Sequence, residues 1–569
     1  METDAGLLGL LEAAAGTFGD KTALRTEDAV KEITYKELWQ VAINTSSRLS
    51  AMGIRSRDRV AILSENRPEW AVAYFGIMAA GATTVLLDTR LKENELACIV
   101  NDSAAAGIFF SEKYLPLVDR LKKTCNLLRL FISLDRVEED TDGLAKRTYD
   151  KGYFEHRTSS PSDVATIIYT SGSTGFPKGV ELTHANLLFE VDAFSDVLAT
   201  GPGDRILSFL PLNHALELIC GLLGPIHSGA TITYLNSTRP DSMLHSLTKI
   251  KPTMITVVPM LANLMYENIV EGVASGPVLK RLMFYSALSL SGFFRLFGMN
   301  VGKTLFLKVH QRLGGALRCL NCGGAPLDKE VARKFDLMGI TILQGYGLTE
   351  TSPTISANTF KKNRIGSVGK PLPGVEVRIV KEHPSDSSGE IITRGPHVMK
   401  GYLNESEGNR NAIRNGWLHT GDLGYLDKDG FLFITGRLKN VIVTAAGKKV
   451  QPEEVEKELL RNPLIREVCV VGRKIPEGLR RGGEEVYAVV VPDFDRIRAR
   501  YGEITEELLK RTVTEAVSES AGAVAKYKRI TGFEIWEHEL PKTSARKILR
   551  RDILSKINQS KDHENLIRR

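Results

Sequence analysis

The sequence predicts an α/β protein of two or more domains, and three observations carry that expectation. Its 569 residues exceed what one ordinary core accommodates. Through the first third, β-branched apolar runs alternate with helical patterns, as in parallel sheets covered by helices. Residues 465–539 instead read strand, strand, helix, strand, which suits a smaller α+β unit. Between these parts, Ile365–Gly374 and Gly389–Tyr402 have the turns of a small β-rich subdomain, at Pro373-Gly374 and Ser388-Gly389.

Bulk properties narrow the class. A hydrophobic share of 43% with 25% charged residues describes a soluble globular protein. A net charge of +7 is mild at this length; it suits anionic substrates or acidic membranes and establishes neither. Glu2 and Asp4 without a basic run argue against a secretory signal. The longest apolar stretch, Ile206 to Ile232, is broken by Asn213, His214, Glu217 and His227, so no spanning helix is expected. Cys319 and Cys322 form a lone CxxC among six scattered cysteines, which reads as buried thiols in a reducing cytosol.

The elements follow in order. Thr34 to Leu38 opens a helix running to about Met52, Arg59–Leu63 is a strand, Trp70–Ala80 a helix and Thr83–Leu87 a strand. Val164–Tyr169 is a buried strand leading into Thr170-Ser171-Gly172-Ser173-Thr174-Gly175, with Lys178 behind it and a helix from His184 capped by Thr183. Four hydroxyls, two glycines and a run of backbone N–H groups suit a polyphosphate, and Lys178 adds a point charge. The spacing is not that of a Walker A loop, since Lys178 lies between Pro177 and Gly179. On composition alone, a plain surface loop is the competing reading.

Further on, Ser208–His214 ends a strand, and Gly221 and Gly224 in the apolar stretch after it leave room for a long slot. Thr256–Met260 reads as a buried strand containing Val258. Phe284–Val309 interleaves aromatic and basic residues; it is either a core-packed helix pair or an amphipathic patch on a membrane surface. Arg318–Leu327 is a strand with a glycine turn, and Gln344–Thr351, Gly416–Gly424 and Thr435–Asn440 are polar, glycine-containing strings. Glu506–Lys526 is a solvated helix, and Pro541–Arg550 a basic segment.

Taken in order, these strings resemble the acyl-adenylate-forming (AMP-dependent synthetase/ligase) superfamily, most of all bacterial long-chain fatty acyl-CoA synthetases, over roughly residues 20–555. The resemblance implies a large N-terminal domain (1–436) with the ATP and acyl pocket, a hinge at 437–440 about Lys439, and a mobile C-terminal lid domain (441–569) carrying a catalytic lysine. By resemblance, Thr170, Ser171, Gly172, Ser173, Thr174, Gly175 and Lys178 hold phosphates. Gly323, Gly324 and Ala325 wall the adenine, and in the Gly345-Tyr346-Gly347 turn Tyr346 stacks on it. Thr349 bonds the α-phosphate, Glu350 with Thr174 holds Mg²⁺, and Asp422, in a glycine-flanked loop, grips the ribose with Arg437. His214 orients the acid in an acyl pocket that includes Gly221, Val258 and Gly347; a glycine at 347 leaves room for a long chain. Gly447 lines the CoA tunnel, and Lys547 takes the place of the catalytic lysine, preceded by Arg546 where glycine is commonest.

The expected activity is ATP-dependent activation of a fatty acid through acyl-AMP and transfer to CoA. The expected partners are fatty acid, ATP and CoA without nucleic acid, for a cytoplasmic monomer or homodimer that touches the inner face of the membrane. The alternatives are a fatty acyl-AMP ligase loading a carrier protein and a non-catalytic acyl- or nucleotide-binding relative. Against the first stands the absence of an inserted segment between Gly374 and Arg437; against the second stand Thr174, Lys178, Glu350, Asp422, Arg437 and Lys547.

Overall fold

A computed structural model describes residues 6–136, 159–171, 177–235, 246–444, 448–474, 484–542 and 548–567. Two compact units emerge: Met1–Val377 with Thr393–His419 and Asp427–Leu432, and Arg378–Ile392 with Thr420–Leu426 and Phe433–Arg569.

The first unit contains two sheets. In chain order, its first strands are β1 (Thr22–Thr26), β2 (Glu32–Thr34), β3 (Arg59–Leu63), β4 (Thr83–Leu86), β5 (Gly107–Phe110), β6 (Leu130–Ser133), β7 (Val164–Ser171) and β8 (Pro177–Thr183). Next come β9 (Arg205–Ser208), β10 (Thr231–Tyr234), β11 (Met254–Val257), β12 (Cys319–Cys322), β13 (Thr341–Tyr346), β14 (Ser356–Ala357) and β15 (Lys370–Pro371). Strands β16 (Glu376–Val380) and β17 (Gly389–Arg394) lie mostly in the second unit, and β18 (Gly401–Tyr402) is again in the first. The nine-stranded sheet runs β15-β14-β13-β12-β11-β9-β10-β1-β2, and the seven-stranded sheet runs β18-β8-β7-β4-β3-β5-β6. In the larger sheet, β13, β12, β11, β9, β10 and β1 are parallel neighbours.

The helix read at 70–80 is α3 (Pro68–Ala79), after α1 (Gly6–Phe18) and α2 (Tyr35–Ala51). All twelve α3 residues are buried. Its core joins Leu24, Ile206 and Ile232 of one sheet to Val60, Ile62 and Ile168 of the other. A helix apolar on all sides belongs in such an interior. Helix α2 starts where the sequence places it, because Thr34 and Glu37 form a reciprocal capping box. Thr183 likewise caps α4 (His184–Leu198) through Asn186.

Two elements depart from the sequence reading. The residues after Lys178 are strand β8, antiparallel to β7 with Thr170 opposite Lys178. Lys178 therefore lies on a strand paired with β7 and not in a loop leading into a helix, while residues 172–176 lie outside the described residues. The strand expected to reach Met260 stops at Val257, because Pro259 opens α5 (Pro259–Ala274). Cys319 and Cys322 are buried on opposite faces of β12, one in each of the two main cores. They cannot act as a CxxC pair. Helices α5, α6 (Val278–Leu296) and α7 (Lys329–Leu337) pack around the second core.

In the second unit, Ile465–Lys474 and Glu484–Pro492 pair antiparallel, and Gly532–Ile535 joins in parallel. Pro452–Leu459 and Glu506–Ala523 contribute Val455, Leu459, Val513 and Ala516 to its core. This is the expected α+β arrangement. Arg550 ties it together: its guanidinium bonds Glu453 at 3.1 Å and Glu456 at 2.8 Å, and Asn440 donates to Glu453 at 2.8 Å.

Candidate functional site: strand ends of the larger sheet and a tyrosine-linked cluster

Parallel strands present their carboxyl ends together, and ligands of open α/β sheets bind there. β9 ends at Ser208 before the segment leading to His214, β11 ends beside Val258, β12 runs into Gly323-Gly324-Ala325, and β13 runs into Gly347. These turns are adjacent. A Cβ on Gly323 would lie 3.3 Å from Leu216 and 3.8 Å from the Gly345 carbonyl, and one on Gly324 3.8 Å from Val258. A planar ring can approach glycine backbone of this kind closely. Gly347 has a packing reason of its own: a Cβ there would run into the carbonyl oxygen of Pro353. A tryptophan at 347 would therefore disturb the backbone whatever it did to an acyl pocket.

The turn carrying Thr349 and Glu350 faces the smaller sheet through Tyr402. The Tyr402 hydroxyl donates to Glu350 Oε1 at 2.8 Å, and the Met399 N–H donates to the Glu350 carbonyl at 2.9 Å. Strand β18 pairs with β8, which sets Tyr402 opposite Val180. Lys178 Nζ thus lies 5.3 Å from the centre of the Tyr402 ring and 3.0 Å from Glu405 Oε2. Burial first, then the Glu350 carboxylate, holds the Tyr402 phenol well above its ordinary range. It stays a neutral donor. Tyr402 and Glu405 were not found from the sequence.

His214 precedes the short turn Ala215–Glu217, which continues into a π-helical stretch at Leu218–Leu223. The preceding segment is pinned by Asn66, which donates to the Leu210 carbonyl at 2.7 Å and accepts from the Leu212 N–H at 3.0 Å. Glu217 is fully buried and accepts from Ser208 Oγ at 2.7 Å. Burial pushes its carboxyl up to about 8, while hydrogen bonds from Ser208 and the Phe209 backbone pull the other way. Gly221 is needed beside it, because a Cβ would strike Glu217 Oε1. One clue to Glu217 was visible: a carboxylate inside a long apolar run.

In the second unit, Asp422 and Arg437 meet. Arg437 Nε lies 2.8 Å from Asp422 Oδ1. Asp422 does not lie in a loop, as the flanking glycines suggest, but within the strand Trp417–Leu426. Its N–H bonds Thr420 Oγ1 at 3.1 Å. Lys439 sits in the single turn Leu438–Asn440. Gly172, Ser173, Thr174, Gly175, Gly447, Arg546 and Lys547 lie outside the described residues, as does the side chain of Ser171.

The AMP-binding enzyme family model matches residues 11–403, and that of the AMP-binding enzyme C-terminal domain matches 454–547. The chain belongs to the AMP-binding enzyme family. The long-chain-fatty-acid–CoA ligase FadD15 of Mycobacterium bovis is 34% identical, across 75% of this chain and 73% of its own. A long-chain-fatty-acid–CoA ligase of Bacillus subtilis is 30% identical across 96% and 94%. Among solved structures, the O-succinylbenzoate coenzyme A synthetase of Bacillus subtilis, in complex with ATP and magnesium ion, is similar. It shows a TM-score of 0.73 and 26% identity over 95% of this chain and 98% of that one.

In this AMP-binding enzyme, the first unit supplies Glu350 with the Thr349 hydroxyl one residue before it, both oxygen donors. A single carboxylate with neighbouring oxygens fits Mg²⁺, which keeps several waters and shares substrate phosphates. Tyr402 bonds one Glu350 oxygen and leaves the other for such a role.

Proposed function

We propose that the protein is an ATP-dependent fatty acyl-CoA synthetase for medium- to long-chain acids, releasing AMP and pyrophosphate. The match to a long-chain-fatty-acid–CoA ligase across 96% of the chain carries this reading. The grouping of Lys178, Tyr402 and Glu350 supports it.

A carboxylate is a poor acyl donor. One of its oxygens attacks the α-phosphorus of ATP, the bond to the β-phosphate bridge breaks, and pyrophosphate leaves. Both reactants are anionic, so the residues must screen repulsion and hold geometry. We assign Thr170, Ser171, Gly172, Ser173, Thr174, Gly175 and Lys178 to the phosphates, and Thr349 to the α-phosphate. Tyr346 stacks on adenine against Gly323, Gly324 and Ala325, beside Gly345; Asp422 and Arg437 take the ribose. Glu350 and Thr174 would hold Mg²⁺, which when bound supplies positive potential across the phosphates. His214 orients the acid in a pocket with Gly221, Val258 and Gly347. Lys547 stabilises the charge that builds on the α-phosphoryl group. The CoA sulfur then attacks the acyl carbon and AMP leaves. For that step we propose rotation of residues 441–569 about Lys439, which removes Lys547 and brings the Gly447 segment to the pantetheine. The enzyme works in the cytoplasm at the inner face of the membrane, as a monomer or homodimer.

ATP–pyrophosphate exchange over acids from acetate to oleate, with and without CoA, tests the reading. Exchange that peaks at long chains, with acyl-CoA accumulating when CoA is present, is expected. Exchange without acyl-CoA would transfer the protein to the acyl-AMP ligases that load carrier proteins; no exchange would overturn the enzyme assignment. Lys547→Ala should abolish exchange while a supplied acyl-adenylate is still thioesterified. Equal loss of both half-reactions would remove Lys547 from the role given it.

A further inference from the structure

We propose that the outer face of α6, with the short helices Gly302–Leu305 and Leu307–Arg312 that follow, docks on an anionic lipid bilayer. Helix α6 is apolar on two opposite sides. One side carries Phe284, Leu288 and Ser291 into the second core, and Arg295 pairs with Asp336 of α7 at 2.7 Å. On the other side, Leu279, Met283, Phe293 and Phe297 stand 67, 64, 54 and 65% exposed, with Leu290 between them at 45%. Their separations of three, four and seven residues keep them on one stripe. Val278, Leu282 and Leu296 flank it, and Met299 and Leu307 are exposed in the segment that follows. A single exposed leucine needs no partner, but a contiguous patch of this kind marks an interaction surface.

Charge selects the partner. No aspartate or glutamate occurs from Gly272 to Leu327, while Lys280, Arg281, Lys303, Lys308 and Arg312 are exposed in the same segment. The nearest acids in sequence are Glu271 on α5 and Asp328 before α7, and in space Glu330 and Asp336 of α7 share a groove with Leu296 at the flank, where Arg295 pairs with Asp336. Two copies meeting through this face would oppose cation to cation, and an acidic headgroup layer meets each with an opposite charge. Apolar side chains rimmed by lysine and arginine are the pattern of a helix lying in the membrane interface. Among the described residues, no helix is long and apolar enough to cross a membrane, so α6 would rest on the bilayer and not span it. The proposal draws on the fatty acyl-CoA synthetase reading only for its purpose, since long-chain acids dissolve in bilayers.

Flotation of the full chain with vesicles tests it. One set is phosphatidylcholine alone, and the other carries phosphatidylglycerol at about a third of the lipid. Wild-type protein should float with the acidic vesicles and be released as salt rises. The variant Leu279→Ser/Phe293→Ser/Phe297→Ser should partition roughly tenfold more weakly or worse. Lys280→Ser/Lys303→Ser/Lys308→Ser should lose the preference for phosphatidylglycerol. Absence of wild-type flotation, undiminished binding of the serine variant, or a dimer that this variant turns into monomer would each overturn the proposal. All variants change exposed side chains, and exchange with a short soluble acid, without vesicles, should match wild type. Flotation without any exchange would leave the docking face standing and remove the synthetase reading instead.

Discussion

Tyr402 joins two groups that the sequence names separately. Lys178 and Glu350 are each recognisable from a string of neighbours, because the turn chemistry around them is local. Tyr402 lies 52 residues beyond Glu350, and only the pairing of β18 with β8 brings it to both. No spacing rule could have found it. A hydroxyl that fixes one oxygen of a carboxylate orients the other, and where that carboxylate holds a metal, as proposed for Glu350, loss of such a partner commonly weakens metal binding roughly 10- to 100-fold. Tyr402→Phe removes the donor and keeps the ring beneath Lys178. The variant should need roughly tenfold more Mg²⁺ for half-maximal pyrophosphate exchange, with little change in stability. A titration of exchange against Mg²⁺ reads this directly; an unchanged midpoint would make the Tyr402–Glu350 bond merely structural.

Elements were legible where the period of the pattern was unambiguous. The helix at α2 and the strand at β3 follow from local chemistry. β8 was missed because Pro177 and Gly179 weaken a strand pattern, and only its place between β7 and β18 stabilises it. The π-helical stretch after Glu217 was likewise invisible, since a widened turn has no sequence period of its own. Here the packing is specific: Gly221 makes way for the carboxyl, and Ser208 at the end of β9 donates to it. The folded chain holds the Glu217 proton up to about pH 8, whereas an unfolded glutamate loses it near its ordinary 4.5. Folding stability therefore falls as pH rises across that window. Glu217→Gln keeps the hydrogen-bond acceptor and removes the titration. Its stability relative to wild type should be greater at pH 8 than at pH 4.5 in urea unfolding. An equal difference at both pH values would mean that Glu217 does not keep its proton in the folded chain.

For the whole molecule, alternation of strands and helices gave the α/β class, but not which strands meet. β1 beside β10, or α3 enclosed by two sheets, depends on long-range pairing that a one-dimensional pattern does not encode. Burial also governs the pH response, because the interior holds titratable groups of both kinds. His184 Nδ1 accepts the Leu7 N–H at 3.2 Å, which docks α1, and His397 Nε2 shares a hydrogen bond with Thr393 Oγ1 at 2.9 Å. Burial lowers both to about 4, with Asp163 opposing the effect at His184. Their stabilisation is complete above the ordinary histidine value of 6.5 and is lost as pH falls through that value toward 4. Glu217 and Glu190, both driven up by burial, act in the opposite direction from 4.5 upward. Between pH 4.5 and 6.5 the histidines and these glutamates therefore act against each other. Above 6.5 the glutamates act alone. Glu69, which Arg67 and Lys31 hold low despite its burial, titrates below this range. Unfolding free energy should thus be lower at pH 8 than at pH 6.5. Removing the histidine contribution with His184→Gln/His397→Gln should expose the glutamate slope, so that stability declines from pH 4.5 onward. A wild-type profile that climbs steadily to pH 8 would show that Glu190 and Glu217 are ionised in the folded chain.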